Sequence, residues 1–187
     1  QAEVAAAGRD WRVFPGMRYG EPSLRGAFEK MHAEGITEAI ILPMYPQYSL
    51  AATRSSVVEC ERLARKSAPG LKLKFVPAFY DHAGFIGSFA QVARESLDGY
   101  AYDHMLFSFH GLPERQVKKT DPTGAHCLAS PNCCERMTDA NSDCYRAQSF
   151  VTAHAIATAL GLPREKYSVC FQSRLGRTPW IKPYTDV

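Results

Sequence analysis

The chain has 187 residues, 45% of them hydrophobic and 22% charged, the balance of an ordinary globular protein long enough to bury a core without staples. Its net charge of +3, with no lysine-rich tail or stripe, argues against nucleic-acid binding. No apolar run approaches the roughly 20 residues of a membrane span.

The opening stretch QAEVAAAGRD lacks the basic and apolar regions of a signal peptide, which points to a cytoplasmic location. It starts in mid-pattern without Met, and the chain stops at IKPYTDV, so a fragment cut at both ends is expected. Residues 11–15 (WRVFP) read as a short strand. Residues 22–34 carry Leu24, Phe28 and Met31 at helical spacing and stop at Gly35. ITEAIILPM reads as a strand buried on both faces, and PMYPQYS as a loop. Residues 52–67 predict a helix with Val57, Val58 and Leu63 inward, and LKLKFVPAF a strand. Residues 84–98 predict a helix with Phe85, Phe89, Val92 and Leu97 as its stripe. HMLFSFH is the next strand, residues 144–160 the last helix, and KYSVCFQS the last strand.

Alternating strands and helices imply an α/β fold, with parallel sheets and helices on both faces. Such sheets bind ligands outside the carboxyl ends of their strands. There the chain places Arg18 and Tyr19, then Tyr45, then His110 with Gly111-Leu112-Pro113, then Gln172, Ser173 and Trp180. This rim suits a flat, partly aromatic ligand and a titratable group. A neutral imidazole at His110 can bind a divalent metal or take up a proton. By position alone, a histidine satisfied by backbone hydrogen bonds is an equally good reading. For Arg18, Tyr19 and Tyr45 in isolation, turn or loop packing is the better one, and Trp180 suits a core as well as a stacking platform.

Residues 126–144 hold Cys127, Cys133, Cys134 and Cys144 in the pattern C-x5-C-C-x9-C. Four thiolates in one loop favour a [2Fe–2S] cluster over structural zinc, whose usual C-x2-4-C knuckles are absent. Disulfides, or thiols with no role, are the alternatives to a metal. Cys60 and Cys170 sit in helix and strand patterns and read as core thiols.

FSFHGLPER, GMRYGEP, PMYPQYS followed by AATRSS, and FQSRLGRTPWIKPYTD resemble, together and in their order along the chain, the ferrochelatase family over nearly the whole length. The resemblance implies a two-lobed, truncated chelatase fold. Residues 1–80 would complete an N-terminal lobe, and residues 81–187, with the cysteine insert, would begin a C-terminal lobe. It implies a lyase of heme biosynthesis that inserts Fe²⁺ into protoporphyrin IX or coproporphyrin III. His110 would be the essential histidine, as metal ligand or as base for the pyrrole protons. Arg18, Tyr19, Tyr45, Gln172, Ser173 and Trp180 would line the porphyrin cleft.

Two departures stand out. The family pairs its histidine with a glutamate in a later His-x-Glu segment that has no match here, so the fragment alone is expected to be inactive. Leu50 stands where animal-type members carry a cluster ligand, and the insert cysteines are similar to a self-contained set in some bacterial members. The cluster is expected to fasten the loop or to sense iron or oxidants. A cobalt or other tetrapyrrole chelatase, a non-catalytic iron–sulfur or heme-binding module, and a structural zinc protein are the alternatives. A peripheral membrane contact or a homodimer stays open.

Overall fold

The computed structural model describes Gly8 and residues 10–186, so most of the opening stretch QAEVAAAGRD lies outside the described residues. The chain divides into two compact units, Gln1–Pro43 with Ser55–Pro77 and Met44–Arg54 with Ala78–Val187.

In the first unit, α1 spans Leu24–Ala33. Ser23 caps it, its hydroxyl accepting from the Gly26 N–H at 3.2 Å. Ala27, Phe28 and Met31, three and four residues apart, form its buried stripe. Strand β1 (Glu38–Ile41) pairs in parallel with β2 (Lys72–Phe75). The helix between them, α2 (Ser55–Ser67), buries Ser56, Cys60, Leu63 and Ala64. Phe28, Met31, Cys60 and Leu63 close one apolar core, with Ala39, Ile41, Leu73 and Phe75 of the strands against it.

Three expectations change here. Residues 11–15 are irregular rather than a strand: Phe14 packs on the core, while Trp11 and Val13 lie at the surface. Pro15 has no N–H to give a ladder, which weakens a five-residue segment as a strand. Strand β1 is half-buried and alternating, with Ile40 exposed, because the two-stranded sheet carries helix packing on one face. On α2, Val58 faces outward, and Cys60 takes the core position.

In the second unit, a π-helical turn (Leu50–Arg54) ends the Met44–Arg54 segment. Then follow α3 (Ala83–Leu97), β3 (Met105–His110), α4 (Glu114–Lys118), the insert, α5 (Tyr145–Leu160), a 3-10 turn (Arg164–Lys166) and β4 (Tyr167–Gln172). Strands β3 and β4 are parallel, with Met105 opposite Tyr167 and His110 opposite Gln172. Helix α5 is the crossover between them and packs against α3. It ends at Gly161, whose φ of 71° is the left-handed conformation of a helix C-cap. Helix α3 buries Ile86 and Ala90, whereas Phe89 and Val92 of the expected stripe are exposed. Each unit thus pairs two parallel strands with helices, as expected of an α/β fold. Among the described residues, no helix is long and apolar enough to cross a membrane.

Candidate functional site

Register brings the ends of β3 and β4 together, so His110 and Gln172 stand side by side. The chain then turns sharply at Gly111, whose N–H donates to the Gln172 carbonyl at 2.7 Å. A Cβ at Gly111 would lie 2.9 Å from that carbonyl oxygen and 3.3 Å from the Trp180 ring, so only glycine permits the approach. Two more backbone bonds continue the pairing: the Ile181 N–H donates to the Leu112 carbonyl at 3.0 Å, and the Glu114 N–H to the Pro179 carbonyl at 2.9 Å. This short zipper holds Trp180 beside His110, with ring centroids 6.3 Å apart. The Trp180 Nε1–H donates to the Leu175 carbonyl at 3.0 Å, which fixes the indole plane. Ser173 follows Gln172 at φ 68°, a left-handed turn that carries strain in a non-glycine residue.

His110 is exposed, and its Nδ1 lies 2.6 Å from the Gly111 carbonyl oxygen. A carbonyl only accepts, so in the neutral ring Nδ1 carries the hydrogen and Nε2 keeps its lone pair. One nitrogen is satisfied by backbone, and the other stays available.

Tyr45 opens the YPQYS loop and is exposed, while the loop behind it is clamped. Gln47 Nε2 donates to Thr152 Oγ1 at 2.9 Å, and the Tyr48 N–H donates to Gln148 Oε1 at 2.6 Å. Gln148 Nε2 in turn donates to the Ser142 carbonyl of the insert at 2.6 Å. Burial, with Asp143 nearby, pushes the Tyr48 phenol above its ordinary range. The loop, α4 and Tyr145 close on one another with no room for a water between them, and an open cleft of about 400 Å³ is lined by Leu50, Ala51, Arg115, Gln116 and Lys119. The cleft is not lined by His110, whose rim is open.

Arg18 and Tyr19 belong to the other unit. The Arg18 guanidinium sits 4.9 Å over the Tyr19 ring centroid, and Tyr19 is almost fully exposed. Arg18 Nε is buried without a hydrogen-bond partner.

The insert between α4 and α5 is built on two buried side chains. Asp121 accepts from the N–H groups of Thr123, His126 and Cys127 and from the Thr123 hydroxyl, at 2.7–2.8 Å. These bonds, that from Cys127 foremost, hold its carboxyl well below the usual carboxylate range. Fully buried Asn141 donates to the carbonyls of Cys133 and Arg136, both at 2.9 Å, and accepts from the Thr138 N–H at 2.7 Å. His126 Nε2 donates to the same Cys133 carbonyl at 3.0 Å.

These supports bring the four insert cysteines into one chain of contacts. The Cys133 and Cys134 sulfurs are 3.7 Å apart, and the buried Cys144 thiol lies near enough to Cys127 and Cys134 to influence the titration of both. All six cysteines are free thiols. The neighbouring Cys144 thiol and burial push the Cys134 thiol far up, and burial raises Cys127 and Cys133. Among the described residues, no three His, Cys, Asp or Glu side chains converge on a point suited to one metal ion. A two-iron centre needs no such point, because it divides four thiolates between its irons. The donor set therefore fits a cluster in type and number, with two of its sulfurs 3.7 Å apart. Cys60 and Cys170 lie in the two cores, and burial lifts Cys60 to about 11.

Sequence reasoning does not single out Gln47, Asp121, Asn141, Gln148 or Thr152. The one signal that could find any of them is a polar pair, Gln148 and Thr152, four residues apart on the buried face of α5.

The family model described as Ferrochelatase matches residues 1–187. Among curated proteins, the chain is 46% identical over 171 residues to "Ferrochelatase" of Stutzerimonas stutzeri (strain A1501), covering 91% of this chain and 50% of the relative. It is 43% identical over 171 residues to "Ferrochelatase" of Bdellovibrio bacteriovorus, again covering 91% and 50%. "Ferrochelatase" of Pseudomonas fluorescens (strain SBW25) is 38% identical over 187 residues, covering 100% of this chain and 54% of the relative. The chain spans about half the length of the curated relatives it matches. With its whole length matched and His110 set at a strand end beside Gln172 and Trp180, the chain belongs to the ferrochelatase family.

Proposed function

We propose that the complete protein is a ferrochelatase, a lyase of heme biosynthesis that inserts Fe²⁺ into protoporphyrin IX or coproporphyrin III. The observation that carries this is the His110 geometry: Nδ1 is tied to the Gly111 carbonyl, and the Nε2 lone pair is free beside Trp180 and Gln172. Insertion must strip water from the metal and two protons from the pyrrole nitrogens. His110 Nε2 serves as the acceptor for those protons, or as a passing ligand for the incoming iron. Trp180 offers an aromatic face to the macrocycle, with Gln172 and Ser173 at its edge. Arg18, Tyr19 and Tyr45 are proposed as further porphyrin-binding residues, Arg18 as the guanidinium suited to a carboxylate of the porphyrin.

Residues 1–80 and 81–187 are proposed to belong to the N-terminal and C-terminal lobes of the full enzyme. The carboxylate that completes the site would come from elsewhere in the protein, so residues 1–187 alone are proposed to be incompetent. Cys127, Cys133, Cys134 and Cys144 are proposed to hold a [2Fe–2S] cluster. When bound, that cluster supplies no electron to metal insertion and serves to fasten the insert or to sense iron or oxidants. Six unpaired cysteines suit a reducing compartment, and the cytoplasm is the proposed location.

The test is zinc and ferrous-iron insertion into protoporphyrin IX by the complete protein and its His110→Ala variant. Insertion should fall at least about 100-fold, the scale of a lost acid–base group, while porphyrin binding persists. Wild-type turnover by His110→Ala would remove the proposal.

A further inference from the structure

Arg146 lies in the first turn of α5, two residues after Cys144, and has no part in the chemistry above. Its guanidinium is shared among three groups. Nη1 donates to Cys134 Sγ at 3.0 Å and reaches Cys133 Sγ at 3.9 Å. Nε donates to the Lys182 carbonyl at 2.8 Å. Cζ stands 4.8 Å from the Phe150 ring centroid, which holds the plane of the fork. The Lys182 carbonyl is on the strip that runs from Trp180 through buried Ile181 to exposed Pro183. That strip is bonded to Leu112 on one side and, through the Pro183 carbonyl, to the Phe171 N–H on the other. One side chain thus spans from the vicinal cysteines to the segment that presents Trp180 to His110.

The chemistry gives this span two consequences. A four-thiolate iron–sulfur centre carries net negative charge, more of it when reduced than when oxidised. A fixed cation that also hydrogen-bonds a ligating sulfur favours the reduced state and raises the potential. The second bond from the same planar group holds the strip at a set distance from the sulfurs, which an ammonium on a flexible stem cannot reproduce.

We propose that Arg146 is a positioning residue that sets the reduction potential of the cluster at Cys133 and Cys134 and holds the 180–183 strip so that Trp180 stays beside His110. This rests on the cluster reading given above. It assigns Arg146 a place between the cysteine insert and the porphyrin rim, so the state of the insert is felt at Trp180.

The test uses the complete protein as wild type, Arg146→Gln and Arg146→Lys. Three readouts are compared: visible absorption of the cluster, its midpoint potential, and the dissociation constant for protoporphyrin IX. Arg146→Gln should retain the cluster, shift the potential to more negative values, and weaken porphyrin binding roughly 3- to 10-fold, the scale of one or two lost hydrogen bonds. Arg146→Lys keeps the charge but not the fork. It should hold the potential near wild type while porphyrin binding weakens as in Arg146→Gln. An unchanged potential or unchanged affinity in cluster-bearing Arg146→Gln overturns the proposal. If Arg146→Gln does not fold, unchanged affinity in Arg146→Lys overturns it. A wild-type protein with no cluster chromophore after anaerobic reconstitution overturns the cluster reading itself, a result distinct from a cluster that ignores Arg146.

Discussion

The side chain of Gln148 accepts the Tyr48 N–H at 2.6 Å and donates to the Ser142 carbonyl at 2.6 Å, so one buried amide joins the YPQYS loop to the cysteine insert. Replacing it with leucine keeps the volume but leaves both backbone groups without their partner. Gln148→Leu should cost about 2–3 kcal/mol of stability, the scale of groups left unsatisfied away from water. Urea titration gives the number, and faster proteolysis in residues 44–54 than elsewhere would localise the effect. Stability equal to wild type would remove Gln148 as the clamp.

Gly111 lets the backbone leave β3 so close to β4 that an added Cβ would lie 2.9 Å from the Gln172 carbonyl oxygen. Gly111→Ala must push against backbone rather than a mobile side chain. The expected loss is roughly 1–3 kcal/mol, as for an overpacked site. Metal insertion should fall more steeply than stability, because the shift moves His110 against Trp180. Full activity in a purified Gly111→Ala enzyme would contradict the close approach.

Asp121 gives the insert a pH dependence. Its carboxyl is depressed in the folded chain, mainly by the Cys127 N–H, so its stabilisation is complete above the ordinary carboxylate range. It is lost progressively as the pH falls below about 4, where the unfolded-state carboxyl binds its proton first. The Cys127 amide, bonded to Asp121 at 2.8 Å, should then exchange faster with solvent once intrinsic rates are corrected. Asp121→Asn should show that faster exchange already at neutral pH and lose the acid dependence. Identical protection profiles in the two proteins would argue against the carboxylate as anchor.

Asn141 and the cysteines make a paired prediction. Asn141→Leu removes the bonds to the Cys133 and Arg136 carbonyls and to the Thr138 N–H. It should expose the insert thiols to a maleimide probe while the rest of the second unit stays folded. Cys133→Ser should abolish the reddish absorption of the reconstituted protein, and chelating the iron should loosen the insert in the wild type. Retained chromophore and unchanged stability in Cys133→Ser would strike Cys133 from the ligand set.

Periodicity locates α1, α2, α3 and α5 to within a few residues, because each buries a stripe whose spacing follows the helix. It misjudges which apolar residues face inward. Val58, Phe89 and Val92 obey helical spacing yet lie exposed, since spacing selects a set of faces and packing partners select the face. WRVFP has strand composition, but a strand exists only when paired, and pairing is a property of two segments.

The alternation of the longer helices and strands from Leu24 to Gln172, the strand-end position of His110 and the clustering of four cysteines were determined by sequence alone, through local spacing and strand-end topology. The β3–β4 register, by contrast, comes from contacts between residues about 60 apart, and it sets Gln172 beside His110. The tautomer of His110 depends on a carbonyl folded back to its Nδ1. The Gln148 clamp, the Asn141 scaffold and the Arg146 span join residues through polar groups that no apolar period records. Hydrophobic patterning encodes which segments become elements. Directional hydrogen bonds, formed only once those elements pack, decide which nitrogen of His110 is free and what holds Trp180 next to it.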